Sequence, residues 1–142
     1  MTIFRTNFLG SLRSFPNRED KLGIFERKVP VGSEIFFHKL MQETFVISTR
    51  IRKYFAAKDI QKILETNFPE SIILDPFYKY WHADMVKITK VFCDILGSKT
   101  IGFWLGTKRG CRRYHEDNVP FRLLVTYAGK GTELLPEEAA NK

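Results

Sequence analysis

His115, Glu116 and Asp117 set an imidazole and a carboxylate two residues apart, just ahead of the strand-like run Val119–Tyr127. In extended backbone alternate side chains share a face, so His115 and Asp117 could hold one divalent metal ion between them. A non-haem Fe(II) site needs two imidazoles and one carboxylate on one side of the metal, with the remaining positions open for oxygen and a cosubstrate. The pair supplies two of those three ligands, and no histidine follows His115. Cys111 lies four residues before His115. If the loop folds back, its thiolate completes a Cys, His, Asp set whose softness turns the preference to Zn(II). The plainer alternative has Asp117 capping a turn, His115 in an ordinary hydrogen bond and Cys111 packed beneath a sheet.

The same stretch concentrates charge. Lys108, Arg109, Arg112 and Arg113 form the densest basic cluster in a chain with a net charge of +7. Such a cluster can track phosphates, with an affinity that falls steeply with salt. The favoured reading is a solvated turn that also balances Glu116 and Asp117, because no helix-turn-helix, zinc-finger or aromatic RNA-platform pattern accompanies it. Nucleic acid is therefore the disfavoured partner. The two cysteines, Cys93 and Cys111, are too few for a disulfide framework and are expected to be reduced thiols.

These residues need a scaffold, and the 142-residue chain is long enough for one domain with a continuous core. Its 44% apolar content and 13 phenylalanines exclude a disordered chain. The absence of any run near ~20 apolar residues, or of a signal-peptide core, points to a cytoplasmic protein that does not enter a membrane. Residues 1–20 show no sustained period and read as an irregular arm. Leu22–Val29 offers a weakly patterned strand that stops at Pro30.

From Ser33, a plausible N-cap, Phe36, Leu40, Ile47, Ile51 and Phe55 fall on one helical stripe. Ala57 to Asn67 gives a second helix through Ile60, Ile63 and Leu64. Asp75 and Pro76 open a third, with Trp81, Met85, Ile88, Phe92 and Ile95 as its stripe and Gly97 as its stop. His38 and His82 lack a ligand-type partner at i+4 (Gln42 and Val86) and read as packing or surface residues. The period then becomes two. Ile101, Phe103 and Leu105 alternate in one strand, and Val119, Phe121, Leu123, Val125 and Tyr127 in another, with Pro120 marking an edge or a bulge.

The run from Cys111 to Pro136 resembles the core motif of the bacterial domain-of-unknown-function family 1826: Cys, two residues, aromatic, His-x-Asp, then Arg-Leu-Leu, Thr-Tyr and a Gly-Pro-Gly-Thr-Glu-Trp stretch. The resemblance marks Cys111, His115, Asp117, Arg122, Thr126, Tyr127, Gly129, Gly131, Thr132 and Glu133. Lys130 stands where the family has proline, and Leu134 where it has tryptophan. Upstream of residue 95 the resemblance is architectural. It implies that His-x-Asp is the first half of the metal triad of 2-oxoglutarate and Fe(II)-dependent oxygenases, with the distal histidine supplied from beyond residue 142. The set would then be incomplete in this chain. It implies equally a zinc-homeostasis role, since the family's members are associated with genes of that kind.

The expectation is an α+β protein forming a single domain over residues 1–142. A helical part (33–97) packs on a small antiparallel sheet of residues near 100–106 and 119–127, within a strand part (98–136) that is a candidate fragment of an incomplete jelly-roll. The expected function is metal binding of an oxygenase-like kind, with His115, Asp117 and Cys111 holding Fe(II) or Zn(II). Arg122 and Arg113 would bind a small-molecule carboxylate such as 2-oxoglutarate. A non-catalytic zinc-binding or zinc-homeostasis accessory protein, and an anion or nucleic-acid binding module using Arg109, Arg112 and Arg113, are the alternatives.

Overall fold

The computed structural model describes residues 2–42, 44–107 and 121–128. In chain order its elements are β1 (Ile3–Thr6), a 3-10 stretch (Leu9–Asn17), β2 (Leu22–Phe25), α1 (Ser33–Leu40), β3 (Val46–Arg52), a 3-10 turn (Lys53–Phe55), α2 (Ala56–Asn67), α3 (Glu70–Ile73), α4 (Tyr78–Leu96) and β4 (Thr100–Gly106). The fold class is α+β, as the change of period at residue 100 suggests.

The N-terminal segment is not an irregular arm. β1 pairs in parallel with β2, Ile3 opposite Leu22 through Thr6 opposite Phe25. A parallel pair needs a crossover connection, and the 3-10 stretch provides it. Leu12 is buried, and Arg13 Nε donates to Asp94 Oδ2 at 2.7 Å, tying the crossover to α4. Four-residue strands are too short to show a period, which is why the sequence hides this pairing.

The helix expected from Ser33 to Phe55 is two elements. α1 ends at Leu40, and residues 46–52 form β3. Ile47 and Ile51 are four apart, and that spacing places two residues on one face of a helix and on one face of a strand alike. Thr49 breaks the tie. It is half-buried beside Ile47 and the fully buried Ile51, while Val46, Ser48, Arg50 and Arg52 are exposed, which is period two. The β-branched content of Val-Ile-Ser-Thr-Arg-Ile-Arg favours the same outcome. Ser33 is also not the N-cap: Gly32 is, at φ 89°, a backbone conformation that strains any residue with a β-carbon. The Ser33 hydroxyl is buried with no hydrogen-bond partner among the described residues.

β3 changes the sheet as well. It is the antiparallel partner of β4, Val46 opposite Gly106 through Arg52 opposite Thr100. Residues 121–126 are neither helix nor strand, and Val119 and Pro120 lie outside the described residues. Phe121, Leu123 and Tyr127 are half-buried while Val125, on the same alternation, is exposed, and alternation cannot name a ladder partner. The described strands make two two-stranded sheets.

The later helices follow the sequence closely. α2 buries Ile60 and Leu64. The N-cap of α4 is Phe77, not Asp75; Asp75 lies just ahead, its Oδ1 accepting from the Phe77 N–H at 2.9 Å, and Gly97 stops the helix in the left-handed region at φ 62°. Trp81 is the centre of the core, 1% exposed, with Phe36, Phe37 and Phe68 set edge-on around it at 5.6, 6.3 and 5.7 Å. Among the described residues no helix is long and apolar enough to cross a membrane.

Candidate functional site

α4 carries an acid inside its apolar stripe. Trp81, Asp84, Met85 and Ile88 share a helical face by their spacing, and all four are buried. A buried carboxylate needs partners, and among the described residues Asp84 has two, Arg27 and Tyr127. Arg27, just after β2, takes both carboxylate oxygens: Nη1 donates to Oδ1 and Nη2 to Oδ2, the latter at 2.8 Å. Tyr127 Oη donates to Oδ2 at 2.6 Å.

Tyr127 is further held between rings. It stacks on Phe37 at 5.3 Å, meets Trp81 edge-on at 6.3 Å, and has the Arg27 guanidinium over its face at 5.9 Å. Burial, and then the hydrogen bond to the Asp84 carboxylate, hold its phenol far above the ordinary tyrosine range. The hydrogen bond to Asp84 likewise raises Arg27. Tyr127 therefore stays a donor and Arg27 a cation at neutral pH, and the contacts of the trio lock geometry. Its effect is to fasten the extended segment 121–127 to α4 and to the end of β2.

Between that segment, β2, the 3-10 crossover and α4 lies a cleft of about 700 Å³, within the size range of small-molecule sites. Leu12, Phe15, Ile88 and Phe92 provide its apolar walls, and Phe121 faces Phe15 across it with ring centroids 6.0 Å apart. Lys21, Arg27 and Arg122 also line it.

Of the residues expected to hold a metal or a cosubstrate, Arg122 is the one described, exposed on the cleft-lining segment. Cys111, Arg113, His115 and Asp117 lie outside the described residues, as do Lys108, Arg109 and Arg112. Among the described residues no group of three or more His, Cys, Asp or Glu side chains could hold a metal. His82 Nε2 contacts the Ala57 carbonyl at 2.8 Å, and His38 Nε2 the Gln42 amide at 3.1 Å, the packing and surface roles expected of them. Cys93 is a buried free thiol whose pKa burial pushes up.

Sequence reasoning missed Asp84 and Arg27. Asp84 was findable: it is three residues after Trp81 and four before Ile88, so a helix with that stripe must either bury it or twist away. Arg27 left no signal, because its role comes from a contact across 57 residues of chain.

Tyr127 and Arg122 both belong to the run that carries the family-like motif, so the lock and the cleft wall are built from it. No curated protein and no solved structure matches the chain. A family model matches residues 9–142, which takes in the motif and nearly all of the scaffold beneath it. The chain belongs to the family described as "Protein of unknown function (DUF1826)".

Proposed function

We propose that this chain is a metal-binding protein of the oxygenase-like class, with His115 and Asp117 holding a divalent ion. The observation that supports this reading is the lock. The segment that follows the His-x-Asp pair, with Phe121 four residues after Asp117, is fastened by Tyr127 to Asp84 and Arg27 and forms one wall of a cleft of small-molecule size. A fixed wall next to the ligand-bearing residues is what a metal site needs in order to hold its donors in place.

With Fe(II) bound, the site would supply dioxygen activation for oxidation of a molecule in the cleft. The work of this chain's own residues is to bind and orient. Arg122, on the cleft-lining segment, pairs its planar guanidinium with the carboxylate of 2-oxoglutarate or a similar acid, and Arg113 adds a second cation. The apolar walls limit water around the reacting molecule.

Elemental analysis of protein purified without a histidine tag tests the reading. About one equivalent of iron or zinc is expected, lost in both His115→Ala and Asp117→Ala. Unchanged metal content in the two variants would sink it. Calorimetry with 2-oxoglutarate should then show binding that requires the metal.

A second reading, a zinc-binding accessory protein, is favoured by one feature, Cys111 four residues before His115. Cobalt substitution separates the two. Thiolate ligation gives an intense charge-transfer band that Cys111→Ser abolishes, and its absence leaves His115 and Asp117 without sulfur.

A further inference from the structure

The cleft has a chemical character of its own. Leu12 and Ile88 are buried at 8% exposure each, and Phe15, Phe92 and Phe121 extend the apolar surface toward solvent. Among the described residues its charged groups are unequally engaged. Glu26 is drawn off to Arg5 at 2.6 Å, and Arg27 is neutralised by Asp84. Lys21 is exposed on the cleft's edge, and among the described residues its ammonium has no acidic partner. An apolar trough with a cation at its edge and, among the described residues, no unpaired carboxylate complements a molecule with a hydrocarbon body and one negative group.

We infer that the cleft binds an amphipathic monocarboxylate, its hydrocarbon on Leu12, Phe15, Ile88 and Phe92 and its carboxylate at Lys21. The inference rests on the proposed function only in making this molecule the one presented to the metal; binding itself needs no metal.

Isothermal titration of the full chain with octanoate, decanoate and dodecanoate, in the presence of EDTA, reads the site directly. Each added methylene buried in the trough is expected to tighten binding by about fourfold, and decylamine should bind at least tenfold more weakly than decanoate. Lys21→Gln, an exposed position that leaves the core alone, should narrow the gap between decanoate and decylamine to within about threefold. Ile88→Trp, which fills the trough, should abolish binding. His115→Ala should bind decanoate as the parent does, so a failed metal site and a failed cleft are told apart. No saturable binding by the parent chain, equal affinity for decanoate and decylamine, a preference untouched by Lys21→Gln, or loss of binding in His115→Ala would each overturn the inference.

Discussion

At the scale of single residues, Asp84 governs more than its size suggests. It is 8% exposed and satisfies two donors brought from distant parts of the chain. Replacing one partner of a buried ion pair leaves the other uncompensated, which costs about 3–5 kcal/mol. Asp84→Ala is therefore expected to lose stability on that scale in urea denaturation, because it strands both the Arg27 guanidinium and the Tyr127 hydroxyl. Tyr127→Phe keeps the ring between Phe37 and Trp81 and deletes one hydrogen bond to a charged acceptor, so its cost should be about 1.5–3 kcal/mol. A Tyr127→Phe loss equal to that of Asp84→Ala would show that the ion pair to Arg27 contributes nothing of its own. The family-like motif marks Tyr127 without saying why. Its partner on α4 gives the reason, and that partner shows in the sequence only as an acid out of place in an apolar stripe.

Among elements, the most telling junction is the one at Asp94 near the end of α4. Arg13 from the 3-10 crossover meets its Oδ2 at 2.7 Å and Lys53 from the turn after β3 its Oδ1 at 2.5 Å, so one carboxylate joins three pieces of backbone. The Lys53 ammonium first, and then the Arg13 guanidinium, hold the Asp94 carboxyl below the usual aspartate range. Asp59 beside Arg52 and Asp75 beside Lys39 are lowered in the same way. A group whose folded-state pKa is depressed contributes stability that is complete above its unfolded value, about 3.9 for Asp, and is lost as pH falls through the folded value. Stability should accordingly be flat from neutrality to about pH 5 and decline below about pH 4. Asp94→Asn should be less stable than the parent at pH 7 and approach it near pH 2, as followed by circular dichroism in urea. A constant difference across that range would remove Asp94 from the acid response.

For the whole molecule, the proposed metal site makes a prediction that needs no substrate. A ligand present at a hundred times its dissociation constant stabilises the folded state by about 2.7 kcal/mol, which for a chain of this size raises Tm by roughly 5–10 °C. Zn(II) or Fe(II) under anaerobic conditions should produce a rise of that order, reversed by EDTA and missing in His115→Ala and Asp117→Ala. A rise that survives both substitutions would place the metal elsewhere. Such a test reads the motif through the stability of the scaffold, to which Tyr127, Asp84 and Arg27 couple the segment following it.

What the sequence determined by itself was local. The stripe of α4 and its Gly97 stop, the span of α2 and the alternation of β4 were legible because stop signals and periodicity act over a few residues. The family-like run from Cys111 to Pro136 was legible as a pattern of residue types. Tertiary structure alone decided the rest. Ile47 and Ile51 suit a helix and a strand equally until β4 offers a ladder to pair with. Ile3–Thr6 becomes a strand because Leu22–Phe25 lies beside it. The cleft exists because Arg27 and Tyr127 converge on Asp84. Pairing partners and buried ion pairs depend on which distant segments meet, and no spacing within one segment encodes that meeting.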